Sequence, residues 1–347
     1  MPRKASPPPP PKRVTPRSGG SVTLDDVAKL AGVSPMTVSR AVNQPNLVAP
    51  ATRRRVHQVI ERTGYVPNLL AGGLASRRSR LVAAIVPSIT NGIFVETVQA
   101  LTDRLWQSGY QLMLGLSGYP AIREDALLSA VLSRRPDAVV LTGIDHSSEM
   151  RKRLLAARIP VVETWDLTPT PIDMLVGFSH ERVGEAVARH LLAKGHHRLG
   201  LVSADDDRAM ARRRGFAAEI ARCGHEAPAS MIVAAPSTLA LGRQSIAALL
   251  DRGEAPSAVF CSSDALAHGV LEEARSRGLE VPRKLAVIGF GGLDFTRHTS
   301  PALSTVNVDR SAIGRIAAEV IVASIDGMPP QSRITDVGFE IVDRDTT

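Results

Sequence analysis

Cysteine is scarce: the 347 residues contain two, Cys223 and Cys261. Their separation offers no metal-ligand spacing and suggests no disulfide framework. Both read as reduced, buried thiols of a cytoplasmic protein. Long apolar runs are missing too, since none approaches the ~18 residues of a membrane span. The first twenty residues, MPRKASPPPPPKRVTPRSGG, are basic and proline-rich but lack the apolar segment of a secretory signal. No GxSxG or Cys-His pair is present. GFGG (289–292) has neither a Walker nor a GxGxxG frame. GHHR (195–198) sits at a helix-to-strand turn without a third ligand, and ADDDR (204–208) reads as a loop and helix start. No cofactor, no metal and no enzymatic activity are therefore expected.

What is present is an uneven charge. The net charge is +8, yet residues 1–80 hold 14 of the 42 Lys/Arg and only 3 of the 34 Asp/Glu, leaving 28 against 31 for the remainder. A basic N-terminal piece on a near-neutral body implies a polyanion partner for that piece. Residues 1–21 read as a disordered basic tail. The next stretch, VTLDDVAKLAGVSPMTVSRAVN (22–43), reads as two short helices about a tight break. Leu24, Val27, Ala28 and Ala31 share one helical face. Thr23 is placed as N-cap, with Asp25 and Asp26 in the first turn where the helix dipole favours anions. Gly32 supplies the left-handed C-terminal cap. Ser34 and Pro35 then restart the chain as hydroxyl cap and first-turn proline. Val38 and Val42 are left to pack inward, and a third helix follows over about 49–63. Helix, glycine turn, helix is the layout that seats a second helix in the DNA major groove, although many αα-hairpins share it and bind nothing.

In order and without gaps, TLDDVAKLAGVS (23–34), TVSRAVN (37–43), GYVPN (64–68) and the leucine of GGLAS resemble the headpiece of the LacI/GalR family of bacterial transcriptional regulators. The resemblance implies a DNA-binding headpiece over 22–66 and a hinge over 67–79. That hinge would fold on DNA and wedge Leu74 into the minor groove. Thr23, Ser34, Pro35, Met36, Thr37, Ser39, Arg40, Asn43, Tyr65 and Asn68 are the remaining candidate DNA-binding residues. Arg40 is best suited to guanine O6/N7, and Met36 to a thymine methyl; Thr37 and Asn43 fit phosphates. A two-fold dimer would read a pseudo-palindromic operator.

From Leu81 onward, apolar β-branched runs (LVAAIVP, AVVLTG, RIPVVET, RLGLVSA, MIVAA, SAVFCSS, LAVIGF) alternate with helical segments, and two later helices complete the series. That alternation predicts right-handed βαβ units and doubly wound parallel sheets. The resemblance extends here and implies a two-lobed α/β core like the periplasmic binding proteins over 80–347. Lobe 1 would take about 80–178 and 307–335, and lobe 2 about 179–306 and 336–347. Crossovers are expected near Gly177–Ser179, Thr305–Val308 and Ile334–Val337. The chain stops at Thr347 with no heptad tail, which favours a homodimer over a tetramer.

Ligands in such folds lie at the carboxyl ends of strands. Candidates for effector binding, by the resemblance, are Ser88, Asn91 and Phe94 in PSITNGIF, Trp165 in VVETWDLT, Arg212 in RAMARRRGF, and Ser263 and Asp264 in CSSDALAHG. Packing roles for Phe94 and Trp165, and a helix-capping role for Asp264, stay open. Two positions depart from the sugar-binding pattern: Gly291 replaces an aspartate of many relatives, and Arg310 replaces an aromatic. A lost carboxylate and a gained guanidinium both favour an anion, which arginine grips bidentately; pairing of Arg310 with Asp294 or Asp309 is the alternative. PSITNxxF, IPVVExxD, DxxVGF and FxGxDF with this arginine resemble the gluconate-utilisation repressors of the family. The expectation is thus a cytoplasmic, homodimeric, DNA-binding repressor of sugar-acid genes, released by a small anionic effector. A same-family regulator of opposite sign, a solute-binding protein and a sugar-acid enzyme are the rivals. The headpiece speaks against the second, and the missing catalytic set against the third.

Overall fold

The computed structural model describes residues 22–66, 78–90, 92–119 and 121–347. The expected tail, most of the expected hinge with Asn68 and Leu74, and Asn91 lie outside the described residues. The chain divides into two units, Met1–Ser79 and Arg80–Thr347.

In the first unit, α1 (Leu24–Ala31) opens on a capping box. The Thr23 hydroxyl accepts from the Asp26 amide at 3.3 Å and the Thr23 amide donates to the Asp26 carboxylate at 3.0 Å. The Thr23 hydroxyl also donates to that carboxylate at 2.6 Å, which holds the Asp26 carboxyl below its usual range. Gly32 closes the helix at φ 62°. α2 (Pro35–Asn43) begins at Ser34, whose hydroxyl accepts from the Thr37 amide at 3.1 Å. With α3 (Pro50–Thr63) these helices enclose Val27, Ala28, Ala31, Val38, Ala41, Val56, Val59 and Tyr65. α2 is rolled so that Val38 and Ala41 face inward. Val42, expected there, stays half-buried outside that cluster.

The second unit holds two six-stranded sheets. The first contains β1 (Leu81–Val86), β2 (Gln111–Leu116), β3 (Ala138–Thr142), β4 (Val161–Thr164), β5 (Met174–Gly177) and β11 (Ile334–Asp336), ordered β11-β5-β4-β3-β1-β2 and parallel throughout. The second contains β6 (Leu199–Ala204), β7 (Ala229–Val233), β8 (Ala258–Cys261), β9 (Ala286–Gly291), β10 (Ser304–Asn307) and β12 (Glu340–Val342). Their order is β12-β10-β9-β8-β6-β7, and only β12 runs antiparallel. Central strands such as AVVLT and AVFC are buried along their whole length, because helices cover both faces. The edge strand β2 is half-exposed. The chain passes between sheets after β5, after β10 and between β11 and β12.

Helices α4 (Val95–Gln107), α5 (Ala121–Leu132), α6 (Ser148–Ala157), α7 (His180–Ala193), α8 (Asp207–Arg222), α9 (Leu239–Asp251), α10 (Asp264–Ser276) and α11 (Arg310–Ile325) connect the strands. β5, only four residues long, and the charged α6 are elements that the apolar pattern does not announce. Three late helices, α9, α10 and α11, form where two are expected. α7 and α8 approach unusually closely. A Cβ on Gly184 would lie 2.0 Å from the Arg212 carbonyl oxygen, and one on Gly215 would lie 2.0 Å from that of Glu181. Glycine at both crossing points lets the backbones touch, which brings the first residue of α7 against the middle of α8.

Candidate functional site

On the headpiece, α2 offers its outward face. Met36 is 61% exposed and Arg40 is exposed, while Ser34 and Thr37 share a 2.9 Å hydroxyl contact. Asn43 donates to the Ser39 hydroxyl at 3.4 Å. An α-helix bearing such a face fits the major groove, and Arg40 can reach base edges through its five donors. Pro35 carries no donor and sets the helix start. Tyr65 is 8% exposed and packs in the three-helix core, so burial of an aromatic surface fixes its place.

In the second unit, a narrow cavity of about 50 Å³ lies where strand ends of both sheets meet. Its wall includes Ile93, Phe94, Tyr119, Trp165, His180, Asp206, Arg208, Arg212, Ser237, Ser262, Ser263 and Phe290. Of the expected effector residues, Phe94, Trp165, Arg212 and Ser263 come together here. Phe94 stands edge-on to Trp165, with ring centroids 4.9 Å apart, and Trp165 in turn meets Phe178 at 6.0 Å. Arg208 and Arg212 are one turn apart on α8 and share a face. The Arg208 guanidinium lies 5.5 Å from the Phe94 ring centre, and that of Arg212 lies 3.9 Å from Phe290. Tyr119, Asp206 and Arg208 also line a carboxylate-rich compartment of about 280 Å³ that includes Asp145 and Asp166.

Arg212 is 5% exposed yet ionised. Burial pushes its pKa down only to about 10. It donates from Nη1 to His180 Nδ1 at 2.7 Å and from Nη2 to the Ser262 carbonyl at 2.9 Å, while Nε finds no partner. Burial raises the Asp166 carboxyl to about 6, although the Leu167 amide and Arg208 oppose the shift. The site thus pairs two fixed cations with a carboxylate that titrates near neutrality.

The other candidates lie elsewhere. The Ser88 hydroxyl meets that of Thr90 at 2.8 Å in a local turn and does not line the cavity. Ser263, rather than Asp264, caps α10 by accepting from the Leu266 amide at 3.3 Å. Asp264 is fully buried and accepts from the Leu293 amide at 2.8 Å and the Thr305 hydroxyl at 2.6 Å, so it pins β10 to the loop after β9. Gly291 has φ 132°, and a Cβ there would meet Ile93 Cδ1 at 2.7 Å, so backbone conformation and packing both call for glycine. Arg310 is the main correction. It is buried at the start of α11, where it donates to the Gly291 carbonyl and, at 2.7 Å, to Glu96. Its charge is met by Glu96, 214 positions away, and it does not reach the cleft cavity.

Arg208, Tyr119, His180, Asp206, Ser237, Ser262, Ile93 and Phe290 were missed. The four-residue step back from Arg212 was the available signal for Arg208. Tyr119 and Ser237 follow the ends of β2 and β7, where the strand-end rule points. GHHR forms a turn in which His197 stacks on His225 at 4.9 Å. Among the described residues no group of three or more His, Cys, Asp or Glu is placed to hold a metal, and no helix is long and apolar enough to cross a membrane.

A helix-turn-helix headpiece and a two-lobed α/β core with a strand-end cleft, in one chain, define a DNA-binding regulator of transcription. Two family models match: one described as bacterial regulatory proteins, lacI family, over residues 23–68, and one described as periplasmic binding protein-like domain over residues 188–347. The chain is 38% identical over 333 residues to the HTH-type transcriptional regulator GntR of Pseudomonas aeruginosa, covering 95% of this chain and 97% of that protein. It is 31% identical to the regulator of the same name from Escherichia coli (strain K12), covering 92% and 96%. A crystal structure of a LacI-family transcriptional regulator from Silicibacter pomeroyi superposes with a TM-score of 0.88 at 35% identity, covering 94% of this chain and 99% of that one. The chain belongs to the LacI family. It is a transcriptional regulator rather than an enzyme.

The Arg310 placement gives a direct expectation. Arg310→Met removes both acceptor contacts at the sheet crossover and should cost about 1–3 kcal/mol of stability in denaturant titration. Wild-type stability would contradict the crossover role.

Proposed function

We propose that the cleft binds a small anionic effector of the sugar-acid class, gluconate or a close relative, and that its binding releases the protein from its operator. The observation that carries this reading is Arg212: a nearly buried, ionised guanidinium on the cavity wall whose Nε has no partner. A carboxylate is the group that meets such a donor with both geometry and charge. Arg208 adds a second cation on the same helical face. Phe94, Trp165 and Phe290 offer an apolar wall for the carbon chain, and Ser263 and the Asp166 compartment offer polar groups for hydroxyls. The similarity to regulators named GntR and the gluconate-repressor motifs support the same class. The protein would act in the cytoplasm as a homodimer on a pseudo-palindromic operator, with effector favouring the weak-binding state by linkage. Thr23, Ser34, Pro35, Met36, Thr37, Ser39, Arg40 and Asn43 would form the operator-reading surface. Asn68 and Leu74 would join them from the hinge.

D-Gluconate should raise the thermal midpoint of the wild type and D-sorbitol should not; Arg212→Met should abolish the gluconate shift. The affinity should rise severalfold between pH 7.5 and 5.5. Over that range Asp166, with its pKa raised to about 6, loses its negative charge while the effector carboxyl, ordinarily near about 3.5, keeps its own. A response to neutral sugars alone would overturn the anionic reading. On the DNA side, Arg40→Ala should lower specific operator affinity by about 1–3 kcal/mol while leaving salt-sensitive, non-specific binding. Unchanged operator affinity in a gel-shift titration would remove Arg40 from base readout.

A further inference from the structure

Trp165 has three features that packing of the core does not call for. Its backbone φ is 70°, a left-handed conformation that a bulky residue adopts only when its surroundings impose it. Its ring is 2% exposed, yet the Nε1–H has no hydrogen-bond partner; buried indole N–H groups usually find one. The residue also lines the cleft cavity, as does Arg212, whose Nε is a second buried donor without a partner. Indole and guanidinium nitrogens donate only. Two donors without acceptors on residues that line one cavity suit a ligand group that accepts.

We infer that the Trp165 indole N–H is a specificity-determining contact, donating together with Arg212 Nε to the carboxylate of the effector, and that His180 is the positioning residue for both. The assignment rests on the sugar-acid reading of the cleft. His180 is fully buried at the start of α7, 2.7 Å from Arg212 Nη1 through Nδ1 and 2.8 Å from the Trp165 carbonyl through Nε2. Arginine cannot accept, so Nδ1 is the acceptor. The proton then sits on Nε2 and is donated to the Trp165 carbonyl. One neutral imidazole thereby ties the guanidinium on α8 to the strained residue after β4. A protonated ring would turn an N–H toward the guanidinium. Burial, with the charges of Arg212 and Arg208, keeps His180 well below the usual histidine range. The glycine contact between α7 and α8 fixes the distance over which this works.

Calorimetric titration of the full chain with D-gluconate tests the assignment. Trp165→Phe keeps an aromatic wall and removes the N–H, so affinity should fall about tenfold or more, the loss expected for a hydrogen bond to a charged group. His180→Leu should weaken binding comparably. His180→Gln, whose amide accepts at one end and donates at the other, should recover affinity to within about threefold of wild type. A merely structural histidine would not be rescued by that exchange. The chain has two tryptophans, and Trp106 is 68% exposed, so Trp106→Phe leaves Trp165 as sole emitter. Saturating D-gluconate should then change its emission. Wild-type affinity in Trp165→Phe, or unchanged emission in Trp106→Phe at saturation, overturns the indole contact alone. A wild type that binds no D-gluconate overturns the sugar-acid reading, and this assignment with it.

Discussion

A guanidinium taken almost completely out of water has to be met by acceptors, because an unpaired buried charge costs several kcal/mol. Arg212 sets that requirement for the second unit. The Ser262 carbonyl at the end of β8 and the His180 ring on α7 each take one of its terminal nitrogens. Phe290 at the end of β9 lies under its plane. Elements from one sheet and from the crossover between sheets are therefore held around one side chain. The paired glycines of α7 and α8 follow from the same demand, since a methyl group at either crossing point would separate Arg212 from His180.

Two buried arginines in this unit illustrate how partner geometry decides role. Arg310 has a carboxylate within hydrogen-bond distance, so its charge is met inside the protein and its work is to fasten a crossover. Nε is buried without a partner in both, but the terminal nitrogens of Arg212 meet only neutral acceptors. An anion in the cleft would find Arg310 neutralised and Arg212 still attractive. Arg208, one turn nearer the start of α8, lines the carboxylate compartment as well, beside Asp206 and the Phe94 ring, and extends the positive wall.

The headpiece was legible because its signals are local: Thr23, Gly32, Ser34 and Pro35 each fix a helix end within four residues of themselves. The alternating core was legible for a similar reason, as buried parallel strands write their burial as continuous apolar runs. Short β5 and charged α6 escaped because tertiary packing, not propensity, holds them. Arg212 was found by resemblance. Arg310 was misassigned because its partner Glu96 is 214 positions away, and the sequence alone does not bring them together. Gly291 was read as a lost carboxylate, whereas its φ of 132° shows a backbone requirement that composition cannot reveal. Tyr65, an aromatic counted for contact, also has a packing role that its local sequence does not announce.

The most direct measurement is a crystal structure of the full chain grown with D-gluconate. The account predicts the ligand in the cleft beside Phe94 and Trp165, with carboxylate oxygens about 2.7–2.9 Å from Arg212, the distance of a charge-assisted bond. A ligand carboxylate turned toward the solvent side, or seated at Arg310 instead, would contradict it.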